Sequence, residues 1–352
     1  MPERLPPNPF DSFSGENAAY KSCLNLEAFG GSWSEFSEAA IMFKFSPEVA
    51  ARVLGYALIH SPKVSLAGDI SSCNDNVEFL AGLSYLYVMG VIRTFRNPKG
   101  AIPMPQTSQA TADNVEVLSS QLTASASNAK QLALARDNYR CILSGNVNIV
   151  NLCDDLTTIN VAAGERRRNT VLAHIFGQST ADNILVGGLT GAAQRKLAWA
   201  ASAADVVERF ADISIVKELN QNNIHKPENT FTVSPEFHGP FDELQFSLHP
   251  VGPDTYEIHT YPSDLNAEYG LPDRVTLKDA TGGKIPLPAV VYFQLHDVCA
   301  KIAHLSGAGE VVEQLFRDLE DVQVLAEDGG SHYLLSLALL SHSGAEQRLG
   351  SV

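Results

Sequence analysis

The tripeptide Ser-Pro-Glu occurs twice in this chain, at Ser46-Pro47-Glu48 and Ser234-Pro235-Glu236, and each copy fixes the start of a helix. Serine caps the first turn. Proline suits the first helical position, where its missing N–H would have no partner, and an acid there meets the positive end of the helix dipole. Behind the first copy, Val49, Val53, Tyr56 and Ala57 recur at helical spacing and predict a helix to about His60. The second copy follows Phe231-Thr-Val233 directly, a short strand-forming run, so strand must hand over to helix with no loop between. The helix it opens carries His238 and Asp242, four residues apart and therefore on one face.

Around this junction the pattern alternates between helix and strand, an α+β organisation. Residues 1–96 form an N-terminal segment: an arm of turns or short strands to residue 45, then the helix from Ser46 and a second from about Asn74 to Arg93 that packs on it. Residues 97–128, rich in Pro, Gln, Ser and Thr, read as a linker. Within 129–262, Ala129–Asn138 reads as helix, Tyr139–Gly145 as a strand entering a turn, and Thr170–Phe176 as a strand that carries His174. A helical insertion spans about 191–219, and Gln245–His249 with Tyr256–Tyr261 reads as a β-hairpin turning at Val251-Gly252-Pro253-Asp254. Residues 263–352 read as a C-terminal helical segment, with Leu295, Val298, Ile302 and Leu305 on one face and a last apolar run at Tyr333–Leu340.

Composition narrows the partners. The formal net charge of −15, from 40 acidic and 25 basic side chains, weighs against non-specific grip on long nucleic acid, which needs a basic surface to release counterions. Nucleic acid is therefore a disfavoured partner on charge, and a small molecule stays open. Nowhere is there an apolar run long enough to cross a membrane, and the N-terminus lacks a signal-peptide pattern, so an intracellular location, cytoplasmic or nuclear, is expected. The five cysteines, Cys23, Cys73, Cys141, Cys153 and Cys299, form no Cys-x-x-Cys pair and read as reduced thiols. Gly187-Gly188-Leu189-Thr190-Gly191 lacks the Gly-Lys-Ser/Thr ending of a phosphate-binding loop.

The segments Ala135-Arg-Asp-Asn-Tyr-Arg-Cys141-Ile-Leu-Ser-Gly145, Ala173-His174-Ile175 and Asn229-x-Phe-x-Val-Ser-Pro-x-Phe-His238-x-x-Phe-Asp242 resemble the His-Asn-His signature of ββα-metal (HNH) nucleases, in the form found in many fungal proteins. The likeness extends over roughly residues 50–330, through Ile70–Asp75, Ala303–Ala308 and Val324–Asp328. It implies a central ββα-metal domain between N- and C-terminal helical segments and metal-dependent phosphodiester hydrolysis. In those terms His174 is the general base, Asn229 orders the loop behind it, and His238 and Asp242 hold a divalent cation, Mg²⁺, Mn²⁺, Ni²⁺ or Zn²⁺. The basic cluster Arg166-Arg167-Arg168 would grip phosphates flanking the cut.

Two residues depart from that pattern. Ala173 stands where many members carry Asp or His as a further ligand, for which Asp182 is an alternative source. Pro240 lies between His238 and Asp242 and is expected to distort the helix. Read without the resemblance, each residue has a plainer role: His174 as a hydrogen-bonded core histidine, Asn229 as a turn former, Asp242 as a helix-terminating acid and the arginines as a solvated loop. The scaffold is accordingly also open to reuse as a small-molecule enzyme or as a non-catalytic binding module.

Overall fold

The computed structural model describes residues 2–31, 46–61, 65–95, 126–149, 164–177, 205–219 and 221–321. Residues 97–125 of the expected linker, Cys153, Asp182, the 187–191 glycine run, residues 191–204 of the expected insertion and the Tyr333–Leu340 run lie outside them. The architecture is α+β, with small sheets and a majority of helix. The chain divides into two compact units, one drawn from Met1–Thr94, Asn183–Val216 and Val298–Val352, the other from Phe95–Asp182 and Lys217–Asp297.

In the first unit the described elements are helices. Ser46 Oγ accepts from Val49 N and starts Pro47–His60 as its sequence predicts. The arm expected over residues 1–45 instead contains a helix, Gly15–Glu27, capped by Ser14. Its buried Ala19, Tyr20, Cys23 and Leu26 keep helical spacing, but Ala and Cys are small and leave the stripe faint in hydropathy. This helix packs on Pro47–His60. The residues before it are tied down: Leu5 is buried, and a Cβ on Gly55 would come within 2.4 Å of Leu5 Cδ2. Asn76 caps Val77–Tyr87, which runs on into a π-helical turn over Val88–Ile92. There a Cβ on Gly90 would fall 2.7 Å from Val206 Cβ, so glycine admits the helical stretch 205–211, which Arg209 pins to Asp69. Among the described residues no helix is long and apolar enough to cross a membrane.

The second unit holds the strands. β1 (Val147–Asn148) and β2 (Arg167–Arg168) pair in parallel, and β3 (Val171–His174) and β4 (Thr230–Val233) pair antiparallel with His174 opposite Thr230. β5 (Phe246–Gly252), β6 (Thr255–Thr260) and β7 (Arg274–Thr276) form an antiparallel meander. The expected hairpin is present, but β5 bulges between Pro250 and Gly252, and the turn narrows to Pro253-Asp254 with Asp254 at φ 49°. β7 adds a strand within the stretch read as helical. Tyr139–Gly145 makes only a single bridge, Arg140 to Val147, because Asn138 and Tyr139 adopt left-handed φ of 53° and 55° and turn the chain sharply out of the Ala126–Arg136 helix.

β4 is buried along its whole length. Phe231 meets Phe241 at 5.1 Å and Phe293 at 5.5 Å, Phe241 meets Phe246 at 5.6 Å, and Tyr256 meets Phe293 at 5.1 Å, so one aromatic cluster joins β4, the Pro235–Asp242 helix, the meander and the Val290–Ser306 helix. Beside it lies a fully buried arginine. Arg136 Nε donates to Asp137 Oδ1 at 2.7 Å, Nη1 to the carbonyls of Pro227 and Pro286, and Nη2 to Asp137 Oδ2 and the Thr230 carbonyl. Asp137 Oδ2 in turn accepts from Thr232 N at 2.8 Å.

Replacing Arg136 by Lys keeps the charge but offers one nitrogen in place of three, so several buried acceptors lose their donor. The expected outcome is a loss of about 2 kcal/mol or more, read as a lower urea midpoint, since each buried acceptor left without a donor costs about 1–3 kcal/mol.

Candidate functional site

Strand alternation settles which residues of β3 can do chemistry. Ala173 is wholly buried opposite Phe231, inside the aromatic cluster, while His174 points to the other face and is half-buried. A ligand at position 173 would be a polar group packed among phenylalanines. The alanine is therefore a packing requirement of this sheet.

Asn229 is fully buried and holds the chain on both sides of the site. Its Oδ1 accepts from Phe176 N at 2.8 Å, and its Nδ2 donates to Phe176 O at 3.1 Å and Ile224 O at 2.8 Å. Its own carbonyl accepts from Ile175 N. One amide thus joins the residues just after His174 to the 3₁₀ turn Gln221–His225.

That turn supplies a residue the sequence reading missed. His225 Nδ1 lies 3.0 Å from His174 Nε2, with the rings edge-to-face at 5.1 Å. Burial, then the neighbouring His225 and His238, push the His174 imidazole from 6.5 down to about 3, so it is neutral at ordinary pH. The one signal for His225 is its place four residues before Asn229, which without a fold carries little weight.

The helix Pro235–Asp242 leaves β4 directly, as the junction requires. Ser234 takes an N-cap backbone conformation, but its hydroxyl lies 3.4 Å from Ser144 Oγ and makes no capping bond. The helix, expected to be distorted at Pro240, runs unbroken from Pro235 to Asp242. The helix has only eight residues, so the missing N–H leaves just the carbonyl of Glu236, an exposed residue at the first turn, without its helical donor. Phe237 and Phe241 are buried, and His238 Nδ1 and Asp242 Oδ2 face each other at 3.6 Å. Burial lowers the His238 imidazole and raises the Asp242 carboxyl to about 7, with Glu243 adding to the rise. An imidazole and a carboxyl are thus desolvated side by side.

The structure therefore brings His174 into contact with His225, on elements joined by Asn229, and His238 with Asp242 on the helix that follows β4. Arg166, Arg167 and Arg168 are exposed on and beside β2, separated from β3 by Asn169 and Thr170. A second cluster that sequence reading missed, His249, His259 and Asp297, lies between the meander and the Val290–Ser306 helix.

Replacing Asn229 by Asp removes both Nδ2 donors and sets a carboxylate against two buried carbonyls. The expected outcome is a thermal melting point lowered by several degrees, with faster amide exchange at Ile175 and Phe176 than in the unaltered chain. Comparison of the chain with protein-family models, curated proteins and solved structures gave no match.

Proposed function

We propose that this chain is a metal-dependent phosphodiesterase of the ββα-metal (HNH) type. The observation that carries the reading is a neutral histidine ending one strand within electrostatic reach of a His–Asp pair on the helix that leaves its partner strand, with a buried asparagine at the start of that partner strand bonded to the residues just after the histidine. His238 and Asp242 are the residues that would hold the cation, with water completing its shell, a donor set that suits hard or borderline divalent ions. The electrostatics fit such an ion. Burial has driven both groups toward neutrality, and a positive charge between them would favour the neutral imidazole and the ionised carboxylate that ligation needs. When bound, a divalent cation there would neutralise charge on the phosphate and on the departing oxygen.

The tautomer of His174 follows from its role. Its Nε2 is engaged with His225, so Nδ1 is the nitrogen left to take a proton from water. For Nδ1 to accept, Nε2 must carry the hydrogen and donate it to His225 Nδ1. His225 is then a positioning residue that holds the ring in the productive tautomer. Asn229 keeps base and ligands in register from behind. Arg166, Arg167 and Arg168 give an otherwise acidic chain a local basic surface for flanking phosphates.

Purified protein incubated with supercoiled DNA, single-stranded DNA, RNA and an aryl phosphodiester, across Mg²⁺, Mn²⁺, Ni²⁺ and Zn²⁺, tests this. His174→Ala is expected to lower kcat by about 10²–10⁴-fold, and unchanged activity in that variant would sink the mechanism. His238→Ala should raise the cation concentration required, and replacing the three arginines by Gln should raise KM and flatten its salt dependence. Cleavage of the aryl diester alone would assign the site to a small molecule; no cleavage and no bound cation would leave a binding module.

A further inference from the structure

The meander places four polar side chains on one face. In the β5–β6 register His249 stands opposite Glu257 and Ser247 opposite His259, so the two histidines are diagonal neighbours on the same side. Phe246, Leu248, Tyr256 and Ile258 take the other face and are buried. The imidazoles stack at 4.9 Å and 22°. Asp297, from the Val290–Ser306 helix, meets them with its carboxylate almost completely buried. Its Oδ2 lies 2.8 Å from His249 Nδ1 and its Oδ1 3.2 Å from His259 Nδ1, and Ser247 Oγ donates to Oδ1 at 2.7 Å.

We infer that His249, His259 and Asp297 form a binding site for a borderline divalent cation of the Zn²⁺ or Co²⁺ class, with a fourth position open to water. Among the described residues this is the one set of three whose ligating atoms all lie within 4.8 Å of one another. Bonds of about 2.0–2.2 Å in a tetrahedral shell separate ligand atoms by about 3.4 Å, so the Asp297–histidine separations of 2.8 and 3.2 Å need to open by well under an ångström. Two imidazoles and a carboxylate are the donor set such ions prefer to hard ones.

The surroundings match a metal site beyond its three ligands. Ligating carboxylates are themselves hydrogen-bonded, as Ser247 does for Asp297, and ligating histidines turn their outer nitrogen toward a carboxylate. Glu257 Oε2 stands 3.9 Å from His259 Nε2. The side chains of His249 and His259 are 38% and 33% exposed, which leaves an entry path and room for a water ligand. The site shares no residue with His174, His238 or Asp242 and does not depend on the reading given for them. An ion here ties two strands of the meander to the helix behind.

The test uses the full chain stripped with chelator, in a His238→Ala, Asp242→Asn background so that only this site remains. Titration with Co²⁺ alone should give saturable uptake of one equivalent, with the visible ligand-field bands of a four- or five-coordinate ion. His249→Gln combined with His259→Gln should weaken binding at least 100-fold. Zn²⁺ should raise Tm in the background chain and not in the histidine double variant. Both histidines are partly exposed, so the fold should tolerate their replacement, which circular dichroism checks. Zn²⁺ protection of His249 and His259 from diethylpyrocarbonate, read by peptide mass, gives the same answer without any variant. Absence of saturable binding, binding that survives loss of both histidines, or no protection would overturn the site and leave a hydrogen-bonded His–Asp–His cluster.

Discussion

The buried pair of Arg136 and Asp137 is the contact on which the strand unit depends. β4 is short, and among the described residues only one of its edges is paired by a strand, β3. On the other edge Thr230 O is met by the Arg136 guanidinium, Thr232 N by the Asp137 carboxylate, and Thr232 O by Ile142 N. An ion pair and a loop thus do the work of a missing strand. Burying two charges costs several kcal/mol, and it is sustained here because the guanidinium also satisfies the Pro227 and Thr230 carbonyls, which would otherwise be buried without donors. From this anchor β4 fixes both β3, with His174 at its end, and the helix bearing His238 and Asp242.

What the sequence made legible was local grammar. Both Ser-Pro-Glu junctions start helices where predicted, and His174, Asn229, His238 and Asp242 fall on elements of the expected type. Local grammar also misled. Pro240 looked disruptive because an internal proline removes a helical hydrogen bond, yet in two turns the carbonyl it deprives belongs to an exposed residue. Ala173 supplies no ligand, as its sequence implies, and its register shows the packing behind that: adjacent strand residues face opposite sides, and its side is the aromatic core. His225, His249, His259 and Asp297 were illegible for a different reason. Their partners come from other elements, and only register and tertiary packing bring them together. The bulge hid even the histidine pair: a regular hairpin centred on Pro253-Asp254 would set His249 opposite Ile258 and turn His259 to the other face, and the shift between Pro250 and Gly252 is what puts both on one side.

Burial alone does not separate a structural histidine from a reactive one. His296 and His174 are both pushed well below 6.5, to about 4 and about 3, chiefly by desolvation. The difference lies in their neighbours. His296 is stacked flat on Phe241 at 4.0 Å, with Nε2 against the Phe241 carbonyl, inside the aromatic cluster. Its proton has nowhere to go. His174 is hydrogen-bonded to a second imidazole that can change tautomer with it, and it stands at a strand end within electrostatic reach of His238. A low pKa marks both rings as neutral; the second is the one paired with another imidazole, as the proposed proton transfer requires.

The origin of the ligands also separates the two cation readings physically. His238 and Asp242 come from one helix at i and i+4, so their spacing is set by helical geometry and needs no tertiary contact. Such a pair costs little to preorganise and contributes little to the fold when occupied. His249, His259 and Asp297 come from two strands and a helix, which only the folded chain brings together. Because that geometry is absent from the unfolded chain, occupancy would be linked to folding, and each factor of ten in affinity would add about 1.4 kcal/mol of stability at fixed ion concentration. The helical pair includes the histidine whose charge is felt at His174, whereas the three-element set lies where a cation would hold the meander on its supporting helix.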